Sequence, residues 1–504
     1  MTDGITSNGL FIMYLQRAFP NVKITYGIPK GKEHGIRVGE VPEGTDLVVL
    51  IDSSTNDHNV HKELHNKGIT TIVLDHHETD KEESPYAIVV NNQMSPNANL
   101  EHAAVGVVFK FIQALDDKLN LNYADDYLDL VAIGNIGDSR DMRDKELRYY
   151  VTQGLNNIKN LFIKAILDDA SYQTQGIINI RAINYNLNPY LNACIRVGSQ
   201  DEKELLFKAL LSDGTEQVKY KDKMESIHKN AIRMLKRVRR QQNKLRDKSV
   251  ELIEQKIKDK NLLDNKILIV DVSEILDKNL SGLVAGNLAN SNHIKRPVML
   301  LRYTEDNKKL GGSARGLNNS SITDFRKFVS ESGCFEWATG HDNAFGALVT
   351  PEKLIEFNNY ANEKLKDVEI SANVYDVDFI LSAKELNYSL LNTLHQYDDL
   401  WGKNIEQPLI AITNIEVEKR NIQLLGKYKN TIKWTVNGID YIKFFTNEDE
   451  WKSIVEYGED GLTGTLIMNV CGKASVNEFN GVKTGQLIIE DYQLIKEKTN
   501  NLVF

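Results

Sequence analysis

Four stretches of this sequence meet an element boundary with a group that can ligate a metal ion. Residues 71–80 read Thr-Ile-Val-Leu-Asp-His-His-Glu-Thr-Asp, an apolar β-branched run that stops at Asp75, His76 and His77. Residues 46–54 form a second apolar run ending in an acid, Asp52. Residues 130–138 are a third, closing on small residues and then Asp138. At the start, Asp3 stands in a Gly/Ser/Thr-rich segment, expected as a turn, ahead of the amphipathic run 10–19. Carboxylate oxygen and neutral imidazole are both good ligands for divalent cations, and a carboxylate-rich set favours Mn²⁺ or Mg²⁺ over zinc. A surface turn that happens to carry two histidines is the alternative reading of 75–77 taken alone. Four such boundaries in order predict a metal site.

Groups placed this way need a scaffold that gathers strand ends. Over residues 1–156, strand-like runs (23–26, 46–51, 71–74) alternate with helix-like ones (10–19, 62–67, 103–115). That alternation predicts a parallel sheet with helices on both faces, whose ligands bind beyond the carboxyl ends of the strands. Residues 157–265 turn helical. Within them, 216–260 hold fifteen Lys/Arg against seven Asp/Glu with apolar residues at helical spacing, which suits one long amphipathic helix or a pair. Its basic cluster, Lys236, Arg237, Arg239 and Arg240, is either a solvated bridge between lobes or the lining of a strand channel.

Residues 266–370 open with strand-like runs at 267–272 and 298–302. A Gly-rich segment, 311–316, follows and is expected as a turn, where Ser313 and Arg315 could donate to a phosphate. Residues 371–504 carry short strand-like runs (408–413, 432–436, 440–445, 465–470) punctuated by Asn437-Gly438 and Asn480-Gly481, as in a small β-barrel. Tyr428, Trp434, Tyr441, Phe444 and Phe445 are either barrel core or stacking platforms for bases.

Composition narrows the class. A chain of 504 residues exceeds one ordinary core. It has no apolar run of about eighteen residues and no basic-then-apolar leader. Three scattered cysteines, Cys194, Cys334 and Cys471, give neither a disulfide framework nor zinc spacing, and a reducing cytoplasm is expected. The net charge of −9 argues against broad duplex binding but leaves room for a basic groove.

The four boundary stretches resemble the motifs of the DHH phosphoesterases. Gly311-Gly312-Ser313-Ala314-Arg315-Gly316 and Thr339-Gly340-His341-Asp342-Asn343-Ala344-Phe345-Gly346 are similar to elements of the DHH-associated C-terminal domain. The stretch 188–196, from Asn188-Pro189 to Arg196, and the part beyond about residue 374 resemble the RecJ branch. The resemblance implies a two-lobed α/β fold: a parallel-sheet catalytic lobe (1–156), a helical connector with a long helix (157–265), a smaller α/β lobe (266–370) and an oligonucleotide-binding (OB-like) barrel (371–504). It also implies two cations, with Asp52 bridging them and Asp3, His76 and Asp138 completing one site. Asp75 would hold His76 from behind, and His77 would lie against the scissile phosphate. Ser313, Arg315 and His341 would contact substrate, as would Arg196. Arg196 as a structural ion pair and His341 as a buried structural histidine are the competing readings. Ile195 departs from the family's glycine, and Thr339 from another.

The first motif of the family is Asp-x-Asp-Gly, and here Met1-Thr2-Asp3-Gly4 fills the frame, with Met1 in place of the first acid. The resemblance implies that one cation site lacks at least one ligand and that the strand carrying it is missing. An upstream start, a segment supplied in trans, or a weak or inactive relative each account for this. The function implied is a single-strand-specific DNA exonuclease, 5′ to 3′, cytoplasmic and monomeric. It would act in recombination, repair or replication beside single-strand-binding or replication proteins, with no membrane role. A catalytically degenerate DNA-binding or replisome scaffold and a short-oligonucleotide phosphodiesterase are the alternatives.

Overall fold

The computed structural model describes residues 2–29, 35–79, 82–174, 176–291, 294–317, 320–370, 375–458, 464–479 and 481–496. Met1, Asp80 and Asn480 lie outside them.

The first helix, α1 (Thr2–Ala18), takes in the Gly/Ser/Thr-rich segment expected as a turn. Its hydroxyls turn back on the helix's own carbonyls: Thr6 Oγ1 donates to Asp3 O at 3.0 Å and Ser7 Oγ to the same oxygen at 2.7 Å. The weak local propensity is overridden by burial of Ile5, Leu10, Phe11, Ile12 and Tyr14. Gly4 lies close to the Asp52 carboxylate, and a Cβ there would lie 2.8 Å from Asp52 Oδ2 and displace it.

Beside α1 runs a parallel sheet of β1 (Leu47–Ile51), β2 (Thr70–Asp75) and β3 (Ile88–Asn91), in that order. Side chains alternate across it. Val49, Ile51, Ile72, Leu74 and Val90 face the core shared with α1, α3 (Ala104–Leu119) and α4 (Leu128–Gly137). Val48, Leu50, Val73 and Val89 face the opposite way, toward Leu64 of α2 (His58–Asn66). Helices on both faces are therefore present. The expected strand at 23–26 is not. That segment has no regular structure and packs on a neighbouring helix, Tyr26 meeting Phe207 edge-on at 4.8 Å and Ile28 O accepting from Gln200 Nε2 at 3.0 Å.

After α4 come α5 (Lys145–Asn156), α6 (Leu161–Asp169), the short α7 (Ser171–Thr174) and α8 (Ile180–Ala182), and a π-helical turn, Ile183–Leu187. Then follow α9 (Asn188–Val197), with Pro189 in its first turn, and α10 (Gln200–Leu211), started by a Ser199/Glu202 capping box. Residues 216–226, expected as helix, form a hairpin of β4 (Gln217–Tyr220) and β5 (Lys223–Ser226). The helix α11 begins only at Ile227, after the Ser226 cap, and runs 33 residues to Asp259, roughly 50 Å. Its Ile227, Ala231, Met234, Leu235 and Val238 belong to the first core, and its Ile253 and Ile257 to a second.

That second core sits on a five-stranded sheet ordered β6-β7-β8-β10-β9: β6 (Leu268–Asp271), β7 (Val298–Tyr303), β8 (Leu310–Arg315), β9 (Trp337–His341) and β10 (Ala344–Val349). The helices α12 (Ser281–Ala289), α13 (Phe325–Glu331) and α14 (Pro351–Lys364) accompany it. The Gly-rich segment expected as a turn is strand β8. Gly312 is needed because a Cβ there would meet Leu300 O of β7 at 2.0 Å.

The last sheet has seven strands where about five are expected. Its order is β11 (Phe379–Ser382), β12 (Leu409–Glu418), β16 (Thr465–Phe479), β17 (Val482–Ile495), β15 (Ile439–Phe444), β14 (Thr431–Val436) and β13 (Gln423–Leu425). Asn437-Gly438 makes the β14–β15 turn with φ of 52° and 80°, the left-handed pair that favours this dipeptide. The segment ahead of β12 touches the first lobe. Lys403 O accepts from Met142 N at 2.9 Å, and Asn404 Nδ2 donates to Asp141 Oδ2 at 2.7 Å.

Candidate active site

The carboxyl edge of the parallel sheet gathers the predicted acids and imidazoles. At the end of β1 the chain turns through left-handed residues, Asp52 (φ 63°) and Ser54 (φ 80°), a conformation that non-glycine residues hold only where the surroundings impose it. This brings Asp52 Oδ1 to 3.3 Å from His76 Nε2. Asp3, in the first turn of α1, places Oδ2 3.7 Å from the same nitrogen. Its two oxygens also accept from Ala104 N at 2.8 Å and Val105 N at 3.0 Å, at the start of α3, where backbone N–H groups favour an anion. Asp138, at the C-terminal end of α4, approaches His76 Nδ1 at 4.0 Å.

Asp75 is buried and works on the other imidazole. Its Oδ1 lies 2.7 Å from His77 Nδ1, while His76 reaches it through the backbone N–H, at 2.8 Å. The expectation that Asp75 holds the His76 ring is thus corrected: the short turn after β2 aims the carboxylate at His77. Asp75 Oδ2 accepts from Thr55 Oγ1 at 2.7 Å, and Asn91 at the end of β3 ties Thr55 to the His77 carbonyl.

Burial, then the charges of Asp52 and Asp138, push the Asp3 carboxyl well above its ordinary range. Burial is the largest influence on Asp52 and Asp75 too and acts upward, but hydrogen bonds and nearby positive charge, led by the His76 bond at Asp52 and the His77 bond at Asp75, together hold both carboxyls low. The Asp75 hydrogen bond raises His77 in turn. Two overlapping donor sets result, Asp52/Asp75/His76/His77 and Asp3/His76/Asp138, each with its ligating atoms within 4.8 Å of one another. His76 is common to both. Crowded carboxylates, buried at Asp3 and Asp75 and partly buried at Asp52 and Asp138, with imidazole between them fit a hard divalent cation, which would relieve the part of the Asp3 shift that comes from its acidic neighbours.

The predicted substrate residues lie elsewhere. Ser313 and Arg315 are on β8 in the second lobe, and Arg196 is on α9. Burial, then the charges of Arg239 and Arg315, lower the Arg196 guanidinium, so these three cations share one neighbourhood. His341 ends β9 exposed, which removes the buried structural reading. On α11, Arg237 pairs with Glu202 and Lys236 with Asp169 at 2.5 Å. Of the aromatics, Trp434 and Tyr441 are core, their rings stacked at 5.8 Å and 3°, while Tyr428, Phe444 and Phe445 are exposed. Sequence reasoning missed Thr55 and Asn91, and also Arg140, whose guanidinium contacts His76 Nδ1 and Asp138. For Asn91 the signal was available, as it ends an apolar run beside Asp75.

A parallel sheet with this acid–histidine edge, joined by a long helix to a second α/β lobe and followed by an OB-like sheet, defines a DHH-type phosphoesterase architecture. The model of the DHH family N-terminal domain matches residues 2–135, and that of the RecJ OB domain matches residues 377–491. A prophage SPbeta protein of Bacillus subtilis strain 168, provisionally named as the single-strand DNA-specific exonuclease YorK, is 40% identical over all of this chain and 87% of its own length. The single-stranded-DNA-specific exonuclease RecJ of the same organism is 25% identical over 97% of this chain and 60% of its own length. RecJ from Thermus thermophilus, solved with Mn²⁺, superposes with a TM-score of 0.72 at 19% identity, covering 100% of this chain and 69% of that one. The chain belongs to the RecJ family of DHH proteins.

Proposed function

We propose that this chain is a metal-dependent, single-strand-specific DNA exonuclease that hydrolyses phosphodiester bonds from the 5′ end. The observation that carries the reading is the meeting of Asp3, Asp52 and Asp138 around His76, with His77 standing beside them half-exposed on a buried Asp75. Asp52, Asp3, His76 and Asp138 would hold Mn²⁺ or Mg²⁺, two ions by the family pattern, supplying a reactive water and charge neutralisation. The remaining chemistry falls to the chain. Asp75 fixes the His77 tautomer with Nδ1–H toward itself, so the other ring nitrogen faces the cleft as a hydrogen-bond partner for the phosphate or leaving oxygen. Arg196, Ser313, Arg315 and His341 would bind the phosphates and the strand end, guanidinium forks being suited to that work. The exposed aromatics of the OB domain would stack bases upstream.

We read the functional parts as residues 1–156, 157–265, 266–370 and 371–504, acting as a cytoplasmic monomer on single-stranded DNA in recombination, repair or replication. The names of the relatives support the substrate class, and RecJ structures solved with Mn²⁺ and with Mg²⁺ support the cation. The test uses the purified chain, Mn²⁺ and long single-stranded DNA labelled at either end, beside Asp75→Ala and His76→Ala. Release of 5′ label, absent in both variants and on duplex, is expected. DNA that is bound but left intact would point to a scaffold, and preference for very short strands to an oligonucleotide phosphodiesterase.

A further inference from the structure

The hairpin of β4 and β5 stands outside the cleft and forms a two-stranded sheet of its own. A ribbon of that size is marginal alone, and this one is held by Arg233 of α11. The guanidinium donates to Glu225 Oε2 at 2.7 Å and lies over the Tyr220 ring, 3.2 Å from its centroid. The register pairs Val218 with Glu225 and Tyr220 with Lys223, so these four share one face, and Val218 packs on the first core. The other face carries Lys219 opposite Met224, both exposed. Lys221 and Asp222 make the tip. Lys221 has a φ of 53°, a left-handed position that tight hairpin turns usually give to glycine or asparagine. Strain of this kind persists where the surroundings impose it, and here it sets a lysine at the end of the ribbon.

The local charge runs against that of the whole chain. Over residues 217–229 the exposed Lys219, Lys221, Lys223 and Lys229 stand against Asp222 and Glu225, and Glu225 is taken up by Arg233. Net charge over the full sequence is −9. Lys229, Lys236 and Arg240 then recur at helical spacing along one face of α11, Lys236 being paired with Asp169. From Ile227 to Arg239, which shares the Arg196 neighbourhood, the helix runs twelve residues, roughly 18 Å along its axis. We infer that the hairpin is a second contact for the phosphate backbone of single-stranded DNA, away from the cleft. A single file of cations suits one line of phosphates. Tyr220 is covered by Arg233 on one side, so it stiffens the ribbon, and the contact is electrostatic and indifferent to sequence. It adds affinity for long strands and takes no part in hydrolysis. The inference rests on the single-stranded DNA reading above.

The two can be tested apart. Binding of long and of very short oligo-dT to the full-length chain is followed by fluorescence anisotropy over a range of salt, with chelator present to hold back hydrolysis. The parent is compared with the triple variant Lys219→Gln, Lys221→Gln, Lys223→Gln and with Asp222→Lys. Circular dichroism checks the fold of each. For the triple variant, the slope of log K against log salt on long strands should fall by about 2, three phosphate contacts at about 0.7 each. Its binding of very short strands, and its turnover of them with Mn²⁺, should match the parent. Asp222→Lys should move the slope the other way, by about 0.7. A hairpin with a merely structural role would not answer to charge in both directions. Unchanged slopes in folded variants, with the parent still binding, would overturn the contact, leave the DNA reading standing and give the lysines to a partner other than DNA. A loss confined to duplex of the same length would overturn it too. A parent chain that binds no single-stranded DNA would overturn both.

Discussion

Asp75 Oδ1 and His77 Nδ1 lie 2.7 Å apart, with the carboxylate buried and the imidazole half open to the cleft. Burial raises the cost of an unpaired carboxylate, so the acid stays ionised only because its lone pairs are met by His77, Thr55 and the His76 N–H. The pair is directional, a fixed base behind and a free ring edge in front.

Replacing Asp75 with Asn should therefore act on turnover more than on DNA affinity. We expect kcat on end-labelled single-stranded DNA to fall by about 10²-fold, within the range that general acid–base groups supply, with KM changed little. Steady-state kinetics that show only a raised KM would assign Asp75 to binding instead.

Trp434 and Phe445 should separate stability from DNA contact. Trp434 is 2% exposed and stacked on Tyr441, and Trp434→Ala should cost roughly 3–5 kcal/mol in a denaturant melt. Phe445 is 92% exposed, and Phe445→Ala should leave the melt unchanged. It should weaken oligo-dT binding by roughly 1–3 kcal/mol if the ring stacks on a base, read by fluorescence anisotropy.

Arg196 and Arg315 share a neighbourhood of like charge that a polyanion would relieve. Arg315→Ala should lower the slope of log K against log salt for single-stranded DNA by about 0.7, one phosphate contact. An unchanged slope would make Arg315 structural.

Glu146 gives a pH signature away from the acid cluster. Burial pushes its carboxyl up, but hydrogen bonds from Lys110, Asn99 and His102 pull it down to about 2 from the ordinary 4.5. A depressed carboxyl stabilises the fold above its unfolded value and loses that contribution as pH falls toward the folded one. The melting-temperature gap between wild type and Glu146→Gln should therefore be full at pH 7 and shrink between about 4.5 and 2. The side chain is 36% exposed, so after screening the gap should correspond to about 1 kcal/mol.

Much of the candidate site was legible because its residues close apolar runs. Asp52 and the 75–77 triplet end strands β1 and β2, and Asp138 ends the buried helix α4, so burial pattern and chemistry changed at the same place. The start of α1 was hidden by Thr2, Gly4, Thr6, Ser7 and Gly9, whose local preferences favour turns and whose helical state depends on tertiary burial. Strand β8 was hidden likewise, since its glycines answer to the backbone of β7, a contact far along the chain. The orientation of Asp75 depends on side-chain torsions after β2, and spacing alone is silent on those. Arg140 carries no local signal, because its inward placement follows from the left-handed turn at Ser139.

The paired contacts of Met142 N with Lys403 O and of Asn404 Nδ2 with Asp141 Oδ2 have a mechanical meaning. Residues 402–405 lie between β11 and β12 of the last sheet, and Lys403 and Asn404 bond to Met142 and Asp141, four and three residues beyond Asp138. A loop of the last sheet thus also braces the turn that follows Asp138. A chain ending near residue 400 would keep every acid and imidazole of the cluster yet free the Met142 amide, which should then exchange its hydrogen faster. On the proposed function, tension on a strand held by the OB sheet would pull on the same two hydrogen bonds and so on the turn after Asp138.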